Sequence, residues 1–417
     1  MTTSPGFLGN AKSLADINRS NILRLAKQLG PISRADMART LGLNASTVGR
    51  IASQLLEQNL LVELRPVPSK VGRRAAMLQY NQNAGTVIGL DLSGRRLVGV
   101  LADLGGDLIR HVEQPASSTR DPQDNLGRVF QVVEDLLGSS LKTRRSVRSI
   151  GAAGYSVISN PEGIVRLSAD LGWRDLPLKR LLEERCGYPV FVQNESDLGA
   201  LAESVWGVGQ GAKRMVWLNA GVGLGSGIVV DGRLYQGAHY AAGEVGNMLP
   251  DVSSLGSDYH SCGCMDALGS CAAMLDNARR AIESGDNGRL ATMMMGNGGL
   301  QATDVFEAAR LEDPLALRLI DEMSDYISLI LVAMVCVLDP DLVVLGQELA
   351  LGADLYIPRI ESRIREAVEF KPQMEASTLA GDAIIRGAVA LALQSTEEQF
   401  YVIHPSFSEM SALWTHS

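Results

Sequence analysis

The order of apolar and polar positions divides the chain into two differently built regions. Between residues 20 and 62, apolar residues recur at helical spacing in three short blocks. Ile22, Leu25, Ala26 and Leu29 stand at i, i+3, i+4 and i+7, which puts them on one face of a first helix. Gly30-Pro31 predicts its stop. Ser33 predicts the cap of a short second helix with Ala35, Ala38 and Leu41 inward. Gly42-Leu43-Asn44 reads as a tight turn, with Asn44 the N-cap of a third helix. That helix turns Val48, Ile51, Ala52, Leu55 and Leu56 inward and Ser46, Thr47, Gly49, Arg50 and Ser53 outward. LLVEL and the segment RPVPSKVGRRAAMLQY then read as a strand, a basic loop carrying Lys70, Arg73 and Arg74, and a second strand.

Beyond residue 85 the pattern changes. Three short strands over 85–110 form a meander, followed by a helix near 121–138 and a strand at 147–155. Residues 177–186 and 195–206 read as helices on either side of the strand PVFVQN, and MVWLNAG with LGSGIVVDG as a glycine-rich hairpin. Further helices are expected over 265–284 and 303–310. A helix over 314–338, apolar on nearly every side, is expected to be buried and to end at Asp339-Pro340. DLVVLG reads as a strand and 382–395 as a closing helix. Meanders alternating with helices predict a layered α/β body of two lobes. No repeat of fixed short period is visible.

Composition narrows the class. Of 417 residues, 46% are hydrophobic and 20% charged, a globular balance. The longest apolar run, between Asp325 and Asp339, falls short of the roughly 18 residues a membrane span requires. Five cysteines are an odd number in a chain too large to need disulfide staples. A cytoplasmic protein with no membrane partner is expected. Charge is divided unevenly: residues 1–82 hold 11 Lys and Arg against 4 Asp and Glu, a net +7, and the remainder 27 against 43, a net −16. A basic head on an acidic body implies that the head meets a polyanion.

Two helices joined by a glycine turn, the second with a small, polar, arginine-bearing outer face, make a helix-turn-helix. Small residues admit close approach to the major groove, Ser and Thr bond phosphates or base edges, and Arg forks onto guanine. Asn44, Ser46, Thr47, Arg50 and Ser53 on the third helix and Lys70, Arg73 and Arg74 on the wing are therefore the candidate contacts to double-stranded operator DNA.

The body carries IGLDLSG at 88–94, NPEGIVRLSADLGWRDLPL at 160–178 and PVFVQNESDLGALAE at 189–203. It also carries GVGLGSGIVVDGRLYQGAHYAAGEVGNM at 221–248, GCMD at 263–266 and DPDLVVLG at 339–346. In these stretches the chain resembles the ROK family of repressors, open reading frames and sugar kinases, from about residue 15 to 395. The resemblance implies a two-lobed actin-like, ribonuclease-H-like body with sugar and nucleotide between the lobes. The fused winged helix is similar to the family's repressor branch. The expected division is a winged head at 1–82 and a first lobe at 83–193 completed by a helix at about 380–396. A second lobe at 194–379, with oligomerisation and effector elements, and a tail at 397–417 complete it.

Residue by residue, the resemblance implies three departures from a kinase. The first phosphate loop, usually D-x-G-G-T, is Asp91-Leu92-Ser93-Gly94-Arg95 here; the second, usually G-T-G-x-G, is Gly221-Val222-Gly223-Leu224-Gly225. The catalytic Asn-Asp pair is Asn194-Glu195. Phosphoryl transfer depends on positioning, so neither enzyme activity nor bound ATP is expected, with Glu195 a degenerate catalytic position. The family's zinc ligands fall on Asn247, Ser257, Tyr259 and Cys264, of which only the last is a ligand; His260, Cys262 and Cys264 are a weak alternative. No zinc is expected. The family's sugar contacts carry over to Asn194, Glu195, Glu244, Asn247 and Asp266, all polar. The resemblance thus implies a transcriptional regulator, acting as a repressor of carbohydrate metabolism. Its body senses a small polar, sugar-like effector without phosphorylating it, and it assembles as a homodimer or homotetramer on a pseudo-palindromic operator; the alternatives are an active ATP-dependent sugar kinase with a regulatory head and a repressor whose cleft is vestigial.

Overall fold

The computed structural model describes residues 11–64, 76–94, 96–142, 146–155, 158–159, 161–256 and 262–400. The head comprises α1 (Ala11–Leu29), β1 (Ile32–Ser33), α2 (Arg34–Leu41), α3 (Ala45–Glu57), β2 (Leu61–Leu64) and β3 (Met77–Tyr80). Its strands pair antiparallel in the order β1-β3-β2. Ser33 caps α2 by accepting the Asp36 N–H at 3.1 Å, and Gly42 ends it in the left-handed region at φ 62°. The core holds Ile22, Leu23, Leu25, Ala26, Met37, Val48, Ile51, Ala52 and Leu55.

Three details differ from the sequence pattern. The first helix begins nine residues earlier than expected, at Ala11. Leu29 is exposed, because it lies at the helix end just before Gly30 turns the chain at φ 70°. In α2 the buried residue is Met37 while Ala35 faces solvent. Eight residues make barely two turns, too few for periodicity to set the phase.

The body contains two five-stranded sheets. The first uses β4 (Thr86–Leu92), β5 (Arg96–Asp103), β6 (Leu108–Pro115), β7 (Val147–Gly154) and β11 (Val190–Asn194) in the order β11-β7-β4-β5-β6. Helices α4 (Pro122–Lys142) and α5 (Leu178–Cys186) belong to this lobe, and β8 (Ile158–Ser159), β9 (Ile164–Ser168) and β10 (Trp173–Leu176) make a small antiparallel sheet beside it. After α6 (Glu195–Trp206), the second large sheet uses β12 (Arg214–Ala220), β13 (Leu224–Val230), β14 (Arg233–Leu234), β15 (Leu342–Leu345) and β16 (Gln373–Ala376). Its order is β14-β13-β12-β15-β16.

The two sheets repeat one design. In each, the first three strands form an antiparallel meander and the last two add in parallel on the far side of the first. Helices α7 (Asp266–Gly269), α8 (Cys271–Glu283), α9 (Arg289–Asn297), α10 (Ala302–Arg310), α11 (Pro314–Leu338), α12 (Gln347–Leu351) and α13 (Ala353–Ile364) follow the second meander or its fourth strand. The chain closes with α14 (Ala383–Phe400), which lies on β4 and β7 of the first sheet and on α6. The single helix expected over 265–284 is broken at Ser270, whose hydroxyl accepts the Ala273 N–H and starts α8 afresh. The apolar helix α11 is not buried throughout: Leu329 and Val337 are exposed. Composition does not distinguish an apolar face turned to the core from one turned outward.

Candidate functional site

The site is assembled at strand ends, where parallel sheets present ligands. Strand β4 delivers Asp91, β7 delivers Tyr155 just past Gly154, and β11 delivers Asn194 and Glu195. From the second lobe come the β12–β13 hairpin at Gly221–Gly223, the turn holding Glu244, and Asp266 at the start of α7.

Asn194 caps α6 by accepting the Ser196 N–H at 2.7 Å, which orients Glu195 at the helix start. Asp266 accepts two backbone N–H groups, from Leu224 at 2.6 Å and Gly263 at 3.2 Å. It thereby ties the hairpin to the segment before α7. The fit is close: a methyl at Gly246 would stand 2.0 Å from Asp266 Oδ1, which only glycine avoids, and one at Gly223 would stand 3.0 Å from it and 3.5 Å from the Tyr155 hydroxyl. Ser226 holds the Glu244 turn, its N–H and hydroxyl both donating to the Gly243 carbonyl at 2.9 and 3.1 Å.

Electrostatics mark this cluster. Burial pushes the Glu195 carboxyl up to about 8, with the negative charges of Glu244, Asp91 and Asp197 adding to the shift. Its Oε2 is buried without a hydrogen-bond partner. Burial raises Asp197 to about 7, assisted by Glu244 and opposed by the hydrogen bond from Gln193. Burial and Asp266 raise Glu244; burial raises Asp91 against the hydrogen bonds from Ser93. The Tyr155 phenol is pushed well above its ordinary range by burial and the surrounding carboxylates. At neutral pH Glu195 is therefore largely a neutral acid that both donates and accepts, as does Tyr155. Such a set suits a ligand rich in hydroxyls.

Of the expected effector residues, Asn194, Glu195, Glu244 and Asp266 come together in this cluster, while Asn247 is exposed in the short turn after Glu244. Tyr155, Asp197 and Gln193 escaped the sequence reading. Tyr155 had a signal, the end of the strand IGAAG; the others had none. On the opposite side of the β12–β13 hairpin lies Glu348, whose Oε2 is buried without a partner and would stand 3.4 Å from a methyl at Gly221. Beside it Gln347 holds a left-handed φ of 42° and accepts a hydrogen bond from Asn219 at 3.0 Å. Arg95 lies outside the described residues.

In the head, Asn44, Ser46, Arg50 and Ser53 are exposed along α3 and Thr47 is half-buried. Asn44 occupies the N-cap with extended backbone, but its side chain makes no cap hydrogen bond. Lys70, Arg73 and Arg74 lie outside the described residues, as does His260. Cys262 is exposed and Cys264 buried, and among the described residues no group of three or more His, Cys, Asp or Glu is placed to hold a metal ion. Nor is any described helix long and apolar enough to cross a membrane.

Comparison with known proteins places these features. The xylose repressor of Caldicellulosiruptor bescii is 26% identical over 394 residues, covering 93% of this chain and 98% of its own. The crystal structure of a ROK family transcriptional regulator, a homologue of the Escherichia coli MLC protein, superposes with a TM-score of 0.81 at 26% identity, covering 93% of this chain and 98% of that one. The glucokinase of Halalkalibacterium halodurans is 28% identical over 315 residues, 72% of this chain and 92% of its own. A ROK glucokinase from Streptomyces griseus, solved with glucose and AMPPNP, shares the fold at a TM-score of 0.62 and 23% identity, covering 74% of this chain and all of that one.

Two expectations are corrected by these matches. A flat absence of enzyme activity does not stand, because a glucokinase is 28% identical over 72% of this chain. The exclusion of ATP falls with it, since a protein of this fold holds an ATP analogue. Phosphate is held largely by backbone N–H groups, so altered side chains at three positions do not by themselves exclude it. The ROK family model matches residues 87–395, and the chain belongs to that family, related both to DNA-binding repressors and to sugar kinases.

Proposed function

We propose that the protein is a DNA-binding transcriptional regulator, a repressor, whose two-lobed body binds a small polar, sugar-like ligand. The observation that carries this reading is α3. It buries Val48, Ile51, Ala52 and Leu55 and leaves Asn44, Ser46, Arg50 and Ser53 exposed on the opposite face. An amphipathic helix with a small, polar, arginine-bearing face, following a glycine turn, is built to enter a major groove. Thr47 at its edge and the basic wing residues Lys70, Arg73 and Arg74 extend the contact to the phosphate backbone. Paired heads in a homodimer or homotetramer would read a pseudo-palindromic operator. In the body, Asn194, Glu195, Glu244 and Asp266, with Asn247 at the rim, would bind the effector's hydroxyls.

The test uses a double-stranded site selected from random sequence by the full-length protein. Arg50→Ala should weaken binding to that site by about 1–3 kcal/mol while leaving non-specific binding nearly unchanged. Wild-type affinity should fall steeply with salt. Equal affinity of the variant and the wild type for the selected site refutes the reading.

A second reading, phosphoryl transfer to a sugar, is favoured by Glu195, a buried carboxyl at the head of α6 beside Glu244. Once ionised it could take a proton from a sugar hydroxyl. ATP-dependent phosphorylation of a sugar panel, lost in Glu195→Gln, would support it. No turnover above background would remove it.

A further inference from the structure

Helix α6 joins three places that are far apart in sequence. Its first residue, Glu195, stands in the cleft. Its inner face is locked to the second sheet: a methyl at Gly227 would stand 2.3 Å from the Ser196 carbonyl oxygen and 2.5 Å from Ala200 Cβ, and one at Gly199 would stand 2.7 Å from the Trp217 ring. Its last residue, Trp206, reaches the first lobe. There the indole lies on the β5–β6 turn, where a methyl at Gly106 would stand 2.6 Å from the ring and Gly106 itself holds φ 96°. Trp206 packs in the same apolar cluster as Tyr80 and Ala84, which flank the joint between head and body.

The same turn holds that joint. The Leu104 N–H donates to the Gln82 carbonyl at 3.0 Å, and the Gln82 side chain lies against Gly105. Asn81 closes the head side, its N–H donating to the Leu60 carbonyl at 3.0 Å and its amide to the Asn59 carbonyl at 2.8 Å. A continuous set of packed contacts thus runs from Glu195 along one rigid helix to Trp206, through the Leu104–Gly106 turn, to Gln82 and the winged head.

We propose that Trp206 is a positioning residue that transmits occupancy of the cleft to the DNA-binding head. This inference rests on the regulator reading above. Helix α6 is packed between the second sheet and α14, which lies on the first sheet and where a methyl at Gly387 would stand 2.0 Å from the Leu198 carbonyl oxygen, so a change in the angle between the lobes shifts α6 against one of the two. A shift with the second sheet moves the Trp206 ring against a turn that belongs to the first sheet and anchors the head. Ligand that favours one lobe angle over the other biases the head through this contact.

The experiment measures three quantities in the full-length protein: affinity for the selected DNA site, affinity for each sugar of an aldopentose and aldohexose panel, and the ratio of DNA affinities with and without the responding sugar. Wild type is expected to show a sugar-induced loss of DNA affinity of 10-fold or more. Trp206→Ala should reduce that ratio to below 2-fold while sugar affinity and sugar-free DNA affinity stay within 2-fold of wild type. Trp206→Phe, which keeps an aromatic ring on the turn, should retain most of the response. Gln82→Ala removes the side-chain end that lies against Gly105 without freeing the backbone and so guards against misfolding of the Trp206→Ala protein; it should cut the response several-fold. A wild-type response that persists unchanged in Trp206→Ala, or, where that protein does not fold, in Gln82→Ala, overturns the inference and leaves the regulator reading intact. A wild-type protein whose DNA binding is indifferent to every sugar overturns the sensing reading, and this inference with it.

Discussion

The two large sheets have the same strand order, yet their first hairpins are built differently. In the first lobe the β4–β5 hairpin is held by itself: Asp91 accepts the N–H and hydroxyl of Ser93 at 3.0 and 2.5 Å, and a methyl at Gly94 would meet nothing within 4 Å. In the second lobe the β12–β13 hairpin is held by distant residues. Asp266 takes the Leu224 N–H, and Gly225 and Gly227 lie directly against Ser196 of α6. One hairpin is a local turn with open space beside it; the other is braced by α6 and by the segment before α7. Equivalent places in a duplicated topology therefore carry unequal constraint, and the difference lies in what packs on them.

The largest expected effect tests that contrast directly. Gly227→Ala pushes a methyl into the Ser196 carbonyl oxygen and Ala200, and should cost about 1–3 kcal/mol in thermal or denaturant unfolding. Gly94→Ala should change stability by no more than about 0.5 kcal/mol. Equal costs would mean that the first hairpin is also braced from a distance, and the comparison would fail.

The next effect concerns charge in the cleft. Glu195 titrates in the folded protein at about 8 against an ordinary 4.5, and Asp197 at about 7 against 3.8. Both are raised, so between the two values the unfolded chain has lost a proton that the folded protein still holds. The stability they allow is fully present below about pH 4 and falls as pH climbs through 7 and 8. Glu195→Gln removes part of that penalty. It should be more stable than wild type by on the order of 2 kcal/mol at pH 8 and indistinguishable near pH 4.5. Parallel pH–stability curves for the two proteins would refute the burial of this carboxyl.

The smallest effect sharpens the hairpin comparison. Asp266→Asn weakens charge-assisted bonds to Leu224 and Gly263 and should destabilise by about 1 kcal/mol. Asp91→Asn weakens the local turn at Ser93 but also removes a charge that opposes Glu195, and should cost less than half as much. The reverse order of the two would show that the local turn is the more important brace.

Much of this was legible along the chain. The third head helix carries a full period of Val48, Ile51, Ala52 and Leu55, so its buried and exposed faces could be read before any contact was known. Cap and turn chemistry at Ser33 and Gly42 was equally local. Family and two-lobed architecture were readable in motifs that span strand ends and turns. Short elements were not: in α2, Ala38 and Leu41 do pack inward but Met37 takes the place expected for Ala35, and α9 and α12 are too short for a periodic signal to stand out. The matching order of the two sheets left no repeat of fixed spacing, because the second lobe inserts several helices between its third and fourth strands.

Sequence by itself determined the local features: which residues cap, turn and face inward in the head, the charge asymmetry between head and body, and the motifs that identify the family. These depend on interactions within a few residues, which spacing encodes. Only the tertiary structure decided that Tyr155 joins Asn194, Glu195, Glu244 and Asp266, and that the glycines at 223 and 246 make room for one carboxylate. It alone carried α6 from the cleft to the joint of the head. Those facts rest on contacts between residues tens to more than a hundred positions apart, and on desolvation, which no side chain possesses until the lobes close around it.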